Sequence, residues 1–256
     1  MSRRVAILNA AFDPLTRDET VQAVFRAIET GPRGWLCTVN VATLMMMRES
    51  AWLQGFVNRA ALVVADGQPL VWCAPLFGGR LPERVTGIDL IDALCQRAVA
   101  DGKGVYCLGA TPRLLAATLD RLRERHPGLR IDGADGYFAV QAATARAEAI
   151  RASGADLLFV GMGSPRQETF ISDQWERLGV GMAIGVGGSF DVLGGARFRA
   201  HRWIGQLGLE WLVRLLQEPR RLARRYVVTN TRFCLLIAET AIARVKRWAT
   251  HGSPHE

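Results

Sequence analysis

Short runs of apolar residues alternate along the chain with longer stretches in which apolar residues recur every three or four positions. Short runs are typical of buried strands, and the longer periodic stretches are typical of amphipathic helices. We therefore predict strands at residues 5–8, 35–39, 62–65, 105–109, 157–161 and 182–186. Strands that alternate with helices form parallel sheets covered on both faces. The pattern predicts an α/β fold with a mainly parallel, Rossmann-like sheet.

Two of the predicted helices begin with capping signals. Thr16 and Glu19 stand three residues apart, which matches a capping box. Thr111 followed by Pro112 places an N-cap residue and a first-turn proline before a helical pattern that ends near His126. These signals fix where two of the connecting helices begin.

The strand pattern stops near residue 202, and the rest of the chain is helical in pattern over 203–217 and, beyond Pro219, over 220–248. We therefore divide the chain into an α/β core, 1–196, and a basic helical C-terminal appendage, 197–256. Apolar residues of the first appendage helix, Leu207, Trp211 and Leu216 among them, recur at helical spacing. Such a stripe fits docking on the core, which we favour, or insertion into a membrane surface.

The formal net charge of +8 lies in the appendage. Residues 197–256 contain twelve Arg and Lys and four Glu, whereas the rest of the chain contains twenty side chains of each sign. Such asymmetry indicates an anionic partner, which can be a membrane surface, a phosphorylated ligand or nucleic acid.

The sequence also predicts a cellular location. The apolar run at residues 5–8 is too short for a signal peptide. No window reaches the roughly 18 apolar residues that a membrane-spanning helix needs. The five cysteines are odd in number and lie mostly in apolar runs, as buried thiols of a reducing compartment do. We predict a cytoplasmic protein that does not cross the membrane.

Polar or glycine-rich segments follow five of the predicted strands. Ligands of open parallel sheets bind outside the carboxyl ends of the strands, so we expect the functional site there. The segments are Thr38 to Asn40, Asp66 to Gly67, Gly109 to Pro112, Gly161 to Glu168 and Gly185 to Asp191.

Asp66 is the best candidate for a general base. It directly follows the strand at 62–65, so its carboxylate is expected at the edge of the pocket, where it can accept a hydroxyl proton. The alternative is that Asp66 caps the helix that begins near Gln68. Asp191 is a second, weaker candidate for the same role.

The segment from Gly161 to Glu168 suits a phosphate or a sugar hydroxyl, because it combines glycines at a strand end with a helix start. It is not a dinucleotide fingerprint, since Arg166 and Gln167 stand where the last glycine would fall. Arg84, in a loop before another helix, can pair with a diphosphate or form an ordinary surface salt bridge.

The sequence predicts no metal site and no cofactor. The four histidines and five cysteines show no metal-ligand spacing, and no Asp-x-Asp motif is present. Cationic side chains would then balance the charge of a diphosphate leaving group. Arg214, Arg221 and Arg224 of the appendage can do so, while Arg244 can contact anionic lipid; a solvated basic face is the alternative.

Several segments resemble the WecG/TagA/CpsF family of bacterial glycosyltransferases in order and spacing, from about Val5 to Tyr226. They are TVN, VVADGQPLVW, RVTGIDL, GMGSPRQE, GVGGSFDVLGG and GLEWLVRLLQEPRRLARRY. The last segment is similar to that of the xanthan-type glucosyltransferases in this family.

The resemblance implies an inverting, metal-independent transfer of a hexose or N-acetylhexosamine from a UDP-sugar to an undecaprenyl-diphosphate-linked saccharide in surface polysaccharide synthesis. It implies a peripheral position at the inner face of the plasma membrane and a general base at Asp66. Together with the strand-end segments, it predicts these substrate-binding residues: Thr38, Asn40, Arg84, Gly109, Gly163, Gln167, Asp191, Arg214, Arg221 and Arg224.

Two other classes of function compete with this interpretation. A nucleotide-binding oxidoreductase shares the parallel sheet, but its glycine fingerprint is missing here. A non-enzymatic basic protein that binds membrane or nucleic acid explains the appendage but leaves Asp66, Thr38 and Gln167 without a role. We therefore predict an anionic membrane surface as the partner of the appendage and no nucleic acid. A homo-oligomer is compatible with the sequence, which does not set the oligomeric state.

Overall fold

The computed structural model describes residues 3–198, 204–205 and 207–251. Two short strands, β1 (Val5–Ile7) and β2 (Ala10–Phe12), form an antiparallel hairpin. The strands that follow form a parallel sheet: β3 (Gly34–Val39), β4 (Leu62–Ala65), β5 (Gly104–Gly109), β6 (Arg130–Ala134), β7 (Leu157–Gly161) and β8 (Met182–Gly185). Their order across the sheet is β4-β3-β8-β7-β5-β6. The predicted parallel α/β fold is confirmed.

Helices cover both faces of the sheet, and each face has its own apolar core. One face carries α2 (Val41–Glu49), α3 (Ala51–Asn58), α4 (Gln68–Cys73), α7 (Ala143–Ala152) and α8 (Arg166–Leu178). The other face carries α1 (Arg17–Thr30), α5 (Gly87–Ala100), α6 (Pro112–Arg125) and α9 (Ser189–Leu193). Phe56 and Leu70 lie in the first core, and Phe25 and Leu94 in the second. This three-layer arrangement leaves the carboxyl ends of the strands as the edge at which loops meet.

The predicted helix starts are confirmed. Thr16 Oγ1 accepts a hydrogen bond from the Glu19 amide at 3.2 Å, and Glu19 Oε2 accepts one from the Thr16 amide at 2.8 Å. The latter bond lowers the pKa of the Glu19 carboxyl. Thr111 caps α6 and His126 is its C-cap residue, as the sequence indicated.

Two strand assignments differ from the prediction. The run at residues 5–8 was expected in the parallel sheet, but it pairs with β2 because the chain reverses at Leu8, whose φ is 52°, and Asn9. Strand β6 was not predicted. It lies at the edge of the sheet, and its alternating polar residues Arg130 and Asp132 are exposed, so it lacks the continuous apolar run of a central strand.

The chain ends in two helices, α10 (Glu210–Gln217) and α11 (Pro219–His251). The first was expected to begin at Trp203, which lies outside the described residues. In the part described, residues 204–205 are helical but 207–208 form a turn, because Gly208 adopts a φ of 69° that a helix does not allow. The prediction of one continuous helix over 203–217 is wrong.

Helix α11 packs against α2 on the first face of the sheet. Phe233 is buried in the core of that face, and Arg232 forms an ion pair with Glu49. Arg244 Nη1 donates hydrogen bonds to the carbonyl oxygens of Pro75 at 3.1 Å and Leu76 at 2.8 Å. The long helix is therefore fixed along the core by apolar contacts and by two arginines.

The same two helices expose several large apolar side chains, including Leu216 and Val227, which are 74% and 66% exposed. Because these side chains are exposed, the core covers the apolar stripe of the appendage only in part. Within the described ranges, no helix is both long enough and apolar enough to cross a membrane.

The cysteines are mostly buried, as predicted. Cys37, Cys95 and Cys107 are buried, Cys73 is half-buried and Cys234 is exposed. Burial raises the pKa of Cys95 to about 12, so this thiol stays protonated near neutral pH.

Candidate active site

Asp66 lies at the carboxyl end of β4, where the sheet meets the loops. Its amide donates to the carbonyl oxygen of Val39 at 2.9 Å, which extends the pairing with β3 by one residue and sets the position of the side chain. The residue is half-buried. Helix α4 begins at Gln68 with Gly67 as its N-cap and without a side-chain cap. The N-cap position of α4 is thus occupied by Gly67, one residue beyond Asp66.

The end of β3 lies beside Asp66 and carries Thr38 and Asn40. Thr38 Oγ1 donates to the carbonyl oxygen of Gly185, at the end of β8, at 3.1 Å. Asn40 Oδ1 accepts from the Thr43 amide at 3.0 Å and caps α2. Because capping uses the amide oxygen, the Asn40 amide nitrogen is the atom suited to donate to a ligand.

Gly109 and Gly161 stand opposite each other at the ends of β5 and β7. A Cβ atom on Gly109 would lie 2.5 Å from the Gly161 carbonyl oxygen, and Gly109 has a φ of 154°. Gly163, two residues beyond β7, has a φ of 76° and open space around it. Because these glycines have no side chain, a phosphate can approach their backbone amides at this edge of the sheet.

Substituting Gly109 by Ala is expected to destabilise the protein by about 2 kcal/mol or more, because the new methyl group would push backbone against backbone. Denaturant unfolding measures the change. Gly102→Ala is the matched control, since Gly102 also has a positive φ, 63°, but has nothing within 4 Å. Equal destabilisation by the two variants would contradict the steric role of Gly109.

Gln167 lies at the start of α8, and its side chain holds the loop that follows β8. Gln167 is 5% exposed, and its Oε1 accepts from the Gly187 amide at 3.0 Å. Its Nε2 donates to Glu168 Oε1 at 2.9 Å. The same Glu168 oxygen accepts from Ser164 Oγ at 2.6 Å. Gln167 is thus held in one orientation by contacts at both ends of its amide.

Glu168 was not predicted as a site residue, although it ends the glycine-rich segment after β7. It is 7% exposed, and its Oε2 atom is buried without a hydrogen-bond partner in the described part of the chain. A buried carboxylate in the first turn of a helix gains from the helix dipole. The sequence signal was its adjacency to Gln167, but burial could not be read from the segment.

Two predicted substrate-binding residues form ion pairs with the appendage. Arg84 Nη1 lies 2.6 Å from Glu210 Oε2, and both side chains are largely shielded from solvent. Asp191 Oδ2 lies 3.0 Å from Arg197 Nη2, and Arg197 also pairs with Glu218. In this conformation Arg84 and Asp191 hold the appendage at the rim of the site.

Two glycines of the appendage lie close to the candidate site. Gly208 packs over α4, the helix that follows Asp66, and Gly205 lies beside Arg84. A Cβ atom on Gly208 would lie 2.9 Å from the Trp72 ring, and one on Gly205 would lie 2.7 Å from Arg84 Nη2. Arg214 belongs to α10, and Arg221 and Arg224 belong to α11, but their side chains lie outside what the structure describes.

The strand order decides which predicted residues lie together. Thr38 lies at the end of β3, and Asn40 and Asp66 directly follow the neighbouring strands β3 and β4. Gln167 lies over the end of β8 beside them. Farther across the sheet, Gly109 ends β5 and Gly163 follows β7. A separate groove of about 790 Å³ lies between α1, α5, α6 and residues 192–198, and no predicted site residue is among the described residues that line it.

No group of three or more His, Cys, Asp or Glu side chains among residues 3–198, 204–205 and 207–251 could hold a metal ion. The candidate site brings together a carboxylate, polar side chains and backbone amides at one edge of a parallel sheet. This is the layout of an α/β enzyme that binds its ligand at the strand ends.

A comparison with known families gives this layout a family. Residues 5–247 match the model of the Glycosyl transferase WecG/TagA/CpsF family. The chain belongs to this family, and it is a glycosyltransferase of polysaccharide biosynthesis.

Proposed function

We propose that this glycosyltransferase moves a hexose or an N-acetylhexosamine from a UDP-sugar to an undecaprenyl-diphosphate-linked saccharide, with inversion at the anomeric carbon. The observation that carries the proposal is the position of Asp66. Its half-buried carboxylate ends β4 beside Thr38 and Asn40, under the start of the appendage. A carboxylate in such a place can act as a general base.

In the proposed step, an acceptor hydroxyl oxygen attacks the anomeric carbon of the donor. The bond between that carbon and the UDP oxygen breaks, and the electron pair leaves with UDP. The hydroxyl proton passes to Asp66. Attack from the side opposite to UDP inverts the anomeric centre, and Thr38, Asn40 and Gln167 orient the sugar or the acceptor.

Negative charge develops on the UDP oxygens as the bond breaks, and cationic groups must stabilise it. The sequence has no Asp-x-Asp motif to bind a metal on the diphosphate. We assign the stabilisation to Arg214, Arg221 and Arg224, helped by the backbone amides near Gly109 and Gly163. Arg84 and Asp191 take part either as contacts to substrate or by holding the appendage closed.

The acceptor's lipid tail requires the enzyme to work at a membrane, and the appendage suits an anionic surface. Arginine and lysine outnumber glutamate by eight in residues 197–256. Leu216 and Val227 in the same region are exposed apolar residues. Basic and apolar groups on one helical segment are typical of peripheral attachment. We therefore propose a position on the cytoplasmic face of the plasma membrane.

A panel of UDP-sugars with a prenyl-diphosphate-linked saccharide tests the proposal. We expect one UDP-sugar to give a product heavier by one glycosyl unit in mass spectrometry, with a β linkage by NMR and undiminished rate in EDTA. Product from no UDP-sugar, or retention of the anomeric configuration, would contradict the proposal. Loss of activity in EDTA would contradict its metal-independent part.

A further inference from the structure

Glu168 is a buried carboxylate whose two oxygens have different surroundings. The residue is 7% exposed. Its Oε1 atom accepts hydrogen bonds from Ser164 Oγ at 2.6 Å and from Gln167 Nε2 at 2.9 Å. Its Oε2 atom is buried without a hydrogen-bond partner among the described residues. A polar atom left without a partner in the interior costs free energy, so a contribution to stability does not by itself explain this side chain.

The distance to Ser164 indicates that the carboxylate is ionised. A hydroxyl that donates to a carboxylate anion lies about 2.5–2.7 Å from it, and bonds between neutral groups are longer. The 2.6 Å between Ser164 Oγ and Glu168 Oε1 falls within that range. Hydrogen bonds to an ionised acceptor are also stronger than bonds between neutral groups. Glu168 is therefore a strong acceptor for the amide of Gln167.

The side-chain amide of Gln167 has one favourable orientation between its two partners. A glutamine amide has an acceptor end, Oε1, and a donor end, Nε2, and a rotation by half a turn exchanges them. In the structure, Oε1 accepts from the Gly187 amide at 3.0 Å while Nε2 donates to Glu168. After the rotation, Nε2 would face another donor and Oε1 would face a carboxylate. Both contacts would be repulsive, so Gly187 and Glu168 together select the observed orientation.

The oriented amide lies against the strand end that contacts Thr38. A Cβ atom on Gly185 would lie 2.6 Å from Gln167 Nε2. The carbonyl oxygen of Gly185 accepts from Thr38 Oγ1 at 3.1 Å. Within the described part of the chain, Nε2 donates one of its two hydrogens to Glu168. The second hydrogen can then donate to a ligand at this strand end.

We propose that Glu168 is a positioning residue for sugar transfer: its carboxylate fixes the Gln167 amide, whose second Nε2 hydrogen donates to a sugar oxygen of the donor or the acceptor. This inference rests on the proposed function, in which Gln167 orients the reacting groups. Glu168 acts through Gln167 and does not touch the substrate, because its second oxygen is buried. Loss of the fixed orientation should slow transfer more than it weakens UDP binding, because UDP lacks the reacting groups that Gln167 orients.

Steady-state transfer to a prenyl-diphosphate-linked saccharide, together with calorimetry of UDP binding, tests the inference. Glu168→Met has a similar length but no acceptor oxygen. It is expected to lower kcat about 10- to 100-fold, the contribution of a hydrogen bond to a charged group, with UDP affinity unchanged. Glu168→Gln keeps an acceptor oxygen for Gln167 Nε2 and should recover most of that loss. Glu176→Ala removes an exposed carboxylate from the same helix and is the matched control, expected at the natural rate.

A double variant shows whether Glu168 acts through Gln167. In a Gln167→Ala background, Glu168→Met should lower kcat no further, because the amide that it positions is gone. If the double variant is slower than Gln167→Ala by the factor that Glu168→Met shows alone, the two residues act independently and the inference is wrong.

Three other results would also overturn the inference. Natural kcat in Glu168→Met would do so and leave the proposed function standing. If Glu168→Gln is as slow as Glu168→Met, the acceptor oxygen is not what matters. If Glu168→Met loses UDP affinity or its fold, Glu168 is a structural residue. Failure of the natural chain to transfer sugar from any UDP-sugar would overturn the proposed function, and the role of Glu168 with it.

Discussion

Replacing Asp66 by Asn is expected to slow sugar transfer by a factor of about 10²–10⁴, the usual contribution of a general base, while UDP binds as before. The amide keeps the size of the carboxylate but cannot accept the acceptor's hydroxyl proton. Asp66 directly follows β4 and contributes its backbone amide to the Val39 carbonyl oxygen, so the side-chain substitution keeps this backbone hydrogen bond. Steady-state kinetics with the lipid-linked acceptor, together with calorimetry of UDP binding, measures both effects.

The control for this variant is Asp120→Asn. Asp120 is an exposed carboxylate on α6, paired with Arg123, and it lies outside the candidate site. Its loss removes the same charge from the protein, so transfer should proceed at the natural rate. If Asp66→Asn turns over as fast as Asp120→Asn, Asp66 is not the base, and Asp191 becomes the next carboxylate to test.

The central sheet could be predicted from the sequence because its strands are buried on both faces. Strand β7, with the sequence LLFVG, has nearly continuous burial, and its apolar run marks it without ambiguity. Edge strand β6 alternates exposed and buried residues and contains Gly133, so it gives no such run. The helix caps at Thr16 and Thr111 could also be predicted from the sequence, because a cap depends on residues within one helical turn.

The candidate site could be located from the sequence only where strand ends determine the position of its residues. Asp66, Thr38 and Gly109 come directly at the ends of strands, so the parallel topology alone brings them to one edge. The ion-pair partner of Arg84 is Glu210, which lies more than a hundred residues further along the chain. The partner of Asp191 is Arg197, which lies just beyond the turn that follows α9. Glu210, which pairs with Arg84, begins α10 just after the chain turns at Gly208.

These ion pairs connect the appendage to residues that border the candidate site. Arg84 holds α10 through Glu210, while Arg197 joins Asp191 to Glu218 at the start of α11. Both contacts lie where the chain passes from core to appendage. When both members of an ion pair are shielded from solvent, removing one destabilises the structure, because the other charge is left buried without a partner. The position of the appendage over α4 therefore depends on residues of the core that border the site.

Replacing Leu216 and Val227 together by Glu is expected to weaken binding to anionic vesicles by about 100-fold or more. Each apolar side chain that enters the lipid interface contributes about 1.5–3 kcal/mol, and each factor of ten in affinity corresponds to about 1.4 kcal/mol. Both side chains are largely exposed, so the substitutions leave the packing of α10 and α11 on the core intact. Vesicle co-sedimentation and the rate of transfer to a membrane-embedded acceptor measure the effect.

Val140→Glu separates the loss of apolar contact from the change in charge. Val140 is 85% exposed and belongs to the α/β core domain, where it begins a short 3₁₀ helix after β6. The Val140→Glu variant adds the same negative charge as Leu216→Glu or Val227→Glu. The long-range attraction to anionic lipid should therefore weaken equally in all three, by about 1 kcal/mol or less. Leu216→Glu and Val227→Glu should each weaken vesicle binding well beyond this control, with UDP affinity unchanged. Identical binding of all three single variants would mean that α10 and α11 meet the membrane through charge alone, and that their exposed apolar residues do not enter it.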